Sequence, residues 1–220
     1  MSGLAAARRI GLLGGSFDPP HLAHLALGRL AQQALGLDQL RWLPAGAPWQ
    51  KAGRPITAGQ HRVAMLALLV DGAPGQLIDE RELQRSGPTY TIDTVLALQA
   101  EHAGHAGQGP ADPAPAEWFL VIGQDQYARI DTWHRWPELL ARVTLAVAGR
   151  AGQAPQAPPA VAAVPHALRL LDLPPMGLSA SDIRQRCAAG QPVSALVGPA
   201  VARYIDQHRL YLPDNRSLSR

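Results

Sequence analysis

The stretch GLLGGSFDPPHLAHLALGRL, residues 11–30, constrains the fold more than any other part of the chain. An apolar run that ends in two glycines predicts a β-strand, and an Asp-Pro-Pro turn follows it. The helix after the turn carries His21 and His24 three residues apart, on one face of its first turn. Helix N-termini attract anions through their N–H groups and partial positive charge. The stretch therefore predicts a phosphate site at the end of the first strand.

Other interpretations of the two histidines stay open at this point. His21 and His24 could be surface side chains, or they could be two ligands of a zinc ion. A zinc site needs three or four ligands, and no third ligand lies nearby in the sequence. Gly14 and Gly15 favour the phosphate interpretation, because bare backbone lets a ligand approach closely.

The composition indicates one globular domain over residues 1–220. A hydrophobic content of 47% fits a chain that buries a sizeable core. No apolar run reaches the roughly 18 residues of a membrane span, so no membrane partner is expected. Net charge is +3 and aromatic residues make up 5% of the chain, without a block of basic residues. This balance suits a phosphate-bearing small substrate and does not predict a nucleic-acid surface.

Two residue types are represented only once. Cys187 is the single cysteine, so an internal disulfide is excluded and a cytoplasmic, reducing location is expected. We expect this thiol to be a small buried filler on a helix rather than a reactive group. Lys51 is the only lysine among 20 basic side chains, either by chance or because a site needs a compact ammonium group.

Strand-like and helix-like segments alternate along the chain, which predicts an α/β fold. We expect a doubly wound, mostly parallel sheet with helices on both faces and further helices at the C-terminus. The expected strands cover about 8–15, 38–45, 75–84, 117–123, 144–150 and 167–173, and the expected helices about 22–36, 58–71, 91–103, 135–143, 180–189 and 197–208.

Two segments are rich in Pro, Gly and Ala, namely 104–116 and 150–166. Segments of this composition are typical of surface loops, and we expect both to be mobile. They are not expected to separate domains, because strands of the same sheet lie on either side.

The segment SASDIRQR, residues 179–186, predicts a second phosphate contact. Hydroxyl and N–H groups at this helix start, together with Arg184, are suited to hold phosphates. Taken alone, the segment would be an ordinary N-cap followed by a solvated arginine.

These motifs have a familiar counterpart. GGSFDPPHLAH resembles the Gly-Gly-x-Phe-Asp-Pro-x-His-x-Gly-His signature of the nucleotidyltransferases that adenylylate mononucleotides. Within that superfamily the chain resembles bacterial nicotinate-nucleotide adenylyltransferases. Four further stretches match in the right order: LPAGAPWQKAG, ELQRSGPTYTIDT, FLVIGQDQYARIDTWHRW and SASDIRQR. Ala23 and Gln124 depart from the family pattern, which has glycine and alanine there. The resemblance extends from about Arg9 to Leu212.

The resemblance implies a Rossmann-like nucleotidyltransferase fold and a reaction. ATP and nicotinate mononucleotide would give deamido-NAD and pyrophosphate by in-line attack without a covalent intermediate, as a step in NAD biosynthesis. Mg²⁺ would be bound by the phosphates and water rather than by protein ligands. By resemblance, the catalytic residues are His21, His24, Lys51 and Arg184; the ATP-binding residues are Gly14, Gly15, Ser16, Phe17, Ser179, Ser181 and Ile183; and the mononucleotide-binding residues are Tyr90, Thr91, Asp125 and Trp133.

Several alternatives remain at this stage. A sibling enzyme could adenylylate nicotinamide mononucleotide or another phosphorylated acceptor, and a non-catalytic nucleotide sensor would belong to a different class. Trp133 is expected to stack on a pyridinium ring, although core filling is its simpler role. Arg62 could be a structural or phosphate contact or a surface salt bridge. The sequence leaves the oligomeric state open, a homo-oligomer included.

Overall fold

The computed structural model describes residues 7–46, 56–104, 115–149 and 155–213. The strands are β1 (Arg8–Gly15), β2 (Gln39–Pro44), β3 (Gln76–Ile78), β4 (Ala116–Gly123), β5 (Thr144–Gly149) and β6 (Leu168–Asp172). The helices are α1 (Leu22–Leu35), α2 (Gly59–Val70), α3 (Arg81–Gln84), α4 (Thr91–Gly104), α5 (Gln124–Tyr127), α6 (Trp136–Arg142), α7 (Pro159–Ala162), α8 (Ala180–Ala188), α9 (Ser194–Val197) and α10 (Pro199–Gln207), with a 3₁₀ turn over Ile130–Thr132.

All six strands form one parallel sheet in the order β3-β2-β1-β4-β5-β6. The chain runs outward from β1 to one edge, returns to β4 and then runs to the other edge. This order is that of a doubly wound Rossmann-like fold, and it confirms the predicted class. In such sheets ligands bind at the carboxyl ends of the strands, where the order reverses, which here is between β1 and β4.

The sheet is covered on both faces because successive side chains of each strand point in opposite directions. Leu12 and Leu120 pack with buried residues of α4 and α6. Leu13 and Val121, one residue further along, pack in a second cluster with buried residues of α1, α2, α8 and α10. The C-terminal helices therefore belong to the second layer.

The third strand is much shorter than the predicted range of 75–84. Only Gln76–Ile78 pairs, at the edge of the sheet, and the residues after it form α3. The Asp79 carboxylate accepts a hydrogen bond from the Arg81 N–H at 3.2 Å, which turns the chain out of the strand.

The second predicted loop also needs correction. Residues 150–154 lie outside the described part, as do 105–114 in the first loop. Within the remainder, Pro159–Ala162 form α7 and Val161 is fully buried against the α4 and α6 layer. Ala157 packs against the same cluster, and His166 Nε2 hydrogen-bonds with Tyr127 Oη at 3.0 Å, so several side chains anchor this Pro/Ala-rich segment.

Cys187 is buried in α8, and burial raises the pKa of its thiol, as expected of a filler. In the described part of the chain, no helix combines the length and the apolar character needed to cross a bilayer.

Candidate active site

A cavity of about 380 Å³ opens at the carboxyl ends of β1, β2 and β4, at the reversal of strand order. Its volume is in the range of small-molecule sites. One end, which we call the phosphate end, is lined by Gly14, Gly15, Ser16 and His24. The other, which we call the pyridine end, is lined by Thr89, Tyr90, Thr91, Trp133 and His134.

The phosphate end is shaped by Phe17, directly after β1. Phe17 has a left-handed backbone with φ of 46°, and its ring is buried. The ring meets His24 edge-on at 5.1 Å and Trp42 at 5.6 Å between centroids. A bulky residue keeps this backbone only where its surroundings impose it, which is common at functional sites. The side chain of Phe17 belongs to the core, and its predicted contact with ATP stays a prediction that would involve the backbone.

His21 and His24 come together as predicted, with their rings stacked at 3.8 Å and 27° between planes. The His21 N–H donates to Nδ1 of His24 at 3.2 Å. An accepting Nδ1 places the proton of a neutral imidazole on Nε2. The helix start thus sets the tautomer of His24 and makes its Nε2 a hydrogen-bond donor.

His21 is only 7% exposed, and burial lowers its pKa to about 4. The ring is therefore neutral near pH 7. Its Nδ1 is buried and completes no hydrogen bond among the described residues, although the ring faces the His24 N–H in a capping arrangement. His21 does not itself line the cavity but stacks on His24, which does, and its contact with a ligand stays a prediction.

The start of α8 lies beside the turn between β1 and α1. Ser179 caps the helix by accepting a hydrogen bond from the Asp182 N–H at 3.1 Å. Arg184 donates to the carbonyl oxygen of Asp18 and, at 2.9 Å, to Oγ of Ser181. The fold therefore brings Arg184 and Ser181 to the turn that precedes the two histidines.

Two of the predicted ATP-site residues have a different status. Ile183 is fully buried in the core, so its side chain does not reach the cavity. Lys51 lies outside the described residues. The contacts of Arg184, Ser179, Ser181 and Lys51 with phosphates stay predictions.

The pyridine end is built on the first turn of α4. The N–H groups of Asp93 and Thr94 donate to the carbonyl oxygen of Tyr90, which is the first intrahelical acceptor. The N–H groups of Tyr90 and Thr91 precede this hydrogen-bond ladder, as those of a helix start do. Such groups favour a bound carboxylate.

Aromatic rings close this end of the cavity. The Tyr90 and His134 rings lie 4.4 Å apart at 35°. Trp133 lines the cavity as predicted, and its Nε1 is buried without a partner among the described residues.

Asp125 is not brought into the cavity lining. It is exposed in α5, which begins directly after β4, and Gln126 of the same short helix lines the cavity instead. Consecutive helical side chains point about 100° apart, so one residue of α5 faces inward while its neighbour turns away.

Sequence reasoning missed three polar side chains of the lining, namely His134, Gln126 and Glu82. Glu82 is 8% exposed, accepts a hydrogen bond from Oγ1 of Thr94 at 2.8 Å, and has a pKa raised by burial. Glu82 was missed because residues 75–84 were predicted to form a strand. His134 directly follows Trp133 in the sequence and could have been found from that position.

Arg62 is a buried structural residue. Its side chain is 2% exposed and donates to the carbonyl oxygens of Thr57, Ser16 and Ala45 at 2.9, 2.8 and 2.8 Å. The surface salt bridge considered from the sequence is therefore wrong. The guanidinium joins the loops that follow β1 and β2 to the start of α2.

Comparisons with known proteins show the family to which the chain belongs. Residues 12–186 match the family model described as cytidylyltransferase-like, which spans the chain from β1 to α8. A relative from Methylibium petroleiphilum, named "Probable nicotinate-nucleotide adenylyltransferase", is 50% identical over 94% of this chain and 93% of its own length. A relative of the same name from Bordetella petrii is 48% identical over 93% of this chain and 99% of its own. The chain belongs to the nicotinate-nucleotide adenylyltransferase family.

A solved structure supports the fold. The Plasmodium falciparum nicotinic acid mononucleotide adenylyltransferase complexed with NaAD matches with a TM-score of 0.71 and 18% identity, over 93% of this chain and 97% of that one. At this identity the likeness concerns the architecture alone. Both ends of the cavity lie within residues 12–186, the region that the family model matches.

Proposed function

We propose that the chain transfers the adenylyl group of ATP to nicotinate mononucleotide, giving deamido-NAD and pyrophosphate as a step in NAD biosynthesis. The observation that carries this proposal is one cavity that is lined by His24, in the first turn of α1, and by Tyr90 and Thr91, at the start of α4. A site for two phosphorylated substrates needs a place for the reacting phosphates and a separate place for the acceptor's base.

In the proposed reaction an oxygen of the mononucleotide's 5′-phosphate attacks the α-phosphorus of ATP. A new P–O bond forms while the bond to the bridging α–β oxygen breaks, and the electron pair leaves with pyrophosphate. The attacking group is already an anion, so no general base is needed. Catalysis then consists of positioning and charge stabilisation.

The protein's contribution follows from the geometry of the phosphate end. His24 offers an Nε2–H donor whose tautomer is set by the His21 N–H. His21 is neutral, so it acts by hydrogen bonding rather than by a fixed positive charge. We assign charge neutralisation to Lys51 and Arg184, whose side chains are cationic at all working pH values.

Mg²⁺ is proposed to enter with ATP. Among the described residues, no three or more His, Cys, Asp or Glu side chains cluster to hold a metal ion. We therefore assign the ion's ligands to the phosphates and water, where it would neutralise charge on the triphosphate. The single, buried cysteine supports a reducing compartment, the cytoplasm, as the site of action.

The choice of acceptor rests on the start of α4. Nicotinate brings a carboxylate to the helix-start N–H groups of Tyr90 and Thr91, whereas nicotinamide would turn an NH₂ toward donors. Losing a hydrogen bond to a charged group costs about 1.5–3 kcal/mol, or roughly one to two powers of ten. We expect kcat/KM for nicotinate mononucleotide to exceed that for nicotinamide mononucleotide at least about tenfold.

Pyrophosphate release from ATP with each mononucleotide tests the proposal. Equal use of both, or preference for the amide, would favour the sibling activity. ATP binding without release of pyrophosphate with either acceptor would favour the nucleotide sensor.

A further inference from the structure

We infer that Tyr211, near the C-terminal end of the described chain, is a positioning residue for the phosphate end of the cavity. It acts through Asp18, in the turn between β1 and the two histidines. The inference rests on the proposed adenylyl transfer, because its effect is measured at that site.

The Tyr211 hydroxyl joins distant parts of the sequence, because it hydrogen-bonds with the Thr57 side chain as well as with Asp18. Tyr211 Oη donates to Oδ1 of Asp18 at 2.8 Å. Asp18 is 4% exposed, so its carboxylate depends on protein donors rather than on water. Burial beside Asp18 raises the pKa of Tyr211 well above its usual range, which keeps the phenol protonated and able to donate.

The backbone after α10 is folded to make this contact. The helix ends at Gln207, and Arg209 and Tyr211 both have left-handed backbones, with φ of 50° and 66°. The Leu210 N–H donates to the Ile205 carbonyl at 3.0 Å and closes the reversal. Two non-glycine residues in this region of conformational space within three positions are unfavourable, so compensating contacts must maintain them. The bond from Tyr211 to Asp18 is such a contact.

The turn after β1 is held from three directions. Arg62 donates to the Ser16 carbonyl, Arg184 donates to the Asp18 carbonyl, and Tyr211 donates to the Asp18 carboxylate. In all three hydrogen bonds an oxygen atom of the turn is the acceptor. These bonds therefore hold the turn without using its backbone N–H groups.

Asp18 also interacts electrostatically with Arg62. Its carboxylate favours the charged form of Arg62 and so opposes the burial that lowers the pKa of that guanidinium. Without the Tyr211 hydroxyl, one oxygen of a buried carboxylate would lack its donor, and the side chain would have to move. His21 follows three residues later, so a shift of Asp18 is transmitted directly to the start of α1.

The test compares two phenylalanine substitutions. Tyr211→Phe removes the hydroxyl from Asp18. Tyr204→Phe is the control, because it removes a tyrosine hydroxyl that hydrogen-bonds with another side chain, at Nδ1 of His61 at 3.0 Å, but does not contact the turn. We expect Tyr211→Phe to lower kcat about tenfold and to change KM for nicotinate mononucleotide less than about twofold. Tyr204→Phe should leave both near the parent values. Thermal unfolding would verify that all variants are folded.

A double-mutant cycle with Asp18→Ala, which removes the accepting oxygen, makes the test specific. If Tyr211 acts through the carboxylate, Tyr211→Phe should lower kcat less than about threefold once Asp18 is alanine. A full tenfold loss in both backgrounds would overturn the inference, as would a Tyr211→Phe variant that behaves like Tyr204→Phe.

Calorimetric titration with ATP separates this inference from the proposed function. Tyr211→Phe should raise the Kd of ATP at least about threefold, and Tyr204→Phe should not. If the parent binds ATP but releases no pyrophosphate with either mononucleotide, the proposed function fails while the Kd comparison still decides the role of Tyr211. Equal Kd values for the two variants would contradict that role.

Discussion

At the phosphate end of the cavity, His21 and His24 stack at 3.8 Å and come from one turn of one helix. At the pyridine end, Tyr90 and His134 lie 4.4 Å apart but come from the start of α4 and the turn before α6. The first pair is adjacent by helical geometry alone, whereas the second exists only when the sheet and both helices are in place. The histidine pair is thus a local structure, although distant residues hold the turn before it, and the pyridine end is a tertiary one.

The two ends should therefore respond differently to substitution. The groups proposed for the phosphate end act on the reacting phosphates, where charge changes in the transition state, so single changes should act mainly on kcat. At the pyridine end binding is shared among several segments, so single changes should act mainly on KM for the mononucleotide. The predictions below test this contrast.

The largest effect is expected for the histidine pair. His24→Ala removes the Nε2–H donor, and His21→Ala removes its stacked partner; each should lower kcat about a hundredfold or more, the scale of losing a preorganised donor. Steady-state kinetics with both substrates would measure this, and His208→Ala, an exposed histidine on the chain after α10, is the control. Near-parent kcat in a folded His24→Ala protein would contradict the assignment.

A smaller effect is expected for Lys51, which lies outside the described residues. Lys51→Ala should raise KM for ATP or lower kcat about tenfold, because the positive charge expected to contact the triphosphate is lost. Lys51→Arg should restore only part of the lost activity, since a planar guanidinium does not replace a compact ammonium group. If both variants match the parent, the sole lysine has no role at the phosphate end.

The contrast between local and tertiary structure also explains what the sequence could predict. The strand, the turn and the histidine pair of residues 8–24 were foreseen, because their signals are contiguous. The parallel sheet and most helix bounds followed from periodicity, and Gly36 ends α1 in the left-handed conformation expected of a helix end. Tyr90, Thr91 and Trp133 were foreseen only through resemblance to a family, and the structure places all three at the cavity.

The errors arose where distant contacts decide the structure. Arg62 belongs to an unremarkable helical segment, and nothing local shows that three loop carbonyls surround it. Asp125 and Gln126 are neighbours in the sequence, and only the position of α5 on the sheet decides which faces the cavity. Tyr211 reaches Asp18 from the far end of the chain, a contact that no spacing within the sequence indicates.

A substitution at Gly46 tests the tertiary character of the pyridine end. A Cβ atom there would lie 2.1 Å from the Glu82 carbonyl oxygen and 3.2 Å from Cγ2 of Thr89. Backbone would have to move, so Gly46→Ala should raise KM for nicotinate mononucleotide about fivefold and lower kcat less, within the usual range for overpacking. Gly177→Ala is the control, because its Cβ would meet no atom within 4 Å. Equal kinetics for the two variants would show that the pyridine end tolerates movement of α3.

The smallest expected effect concerns the stability of the phosphate end. Burial lowers the pKa of His21 from 6.5 to about 4, so the unfolded chain takes up a proton at a higher pH than the folded one. The stability that comes from the neutral buried ring is fully present above about pH 6.5 and is lost progressively as the pH falls toward 4. By linkage, about 1 kcal/mol should be lost between about pH 7.5 and pH 5.5. His21→Asn cannot titrate, so the difference in unfolding free energy between parent and variant should shrink by that amount over this interval. Urea unfolding of both proteins at the two pH values measures it. A difference that stays constant would mean that His21 is accessible to protons in the folded state, and that the phosphate end is more open than its geometry indicates.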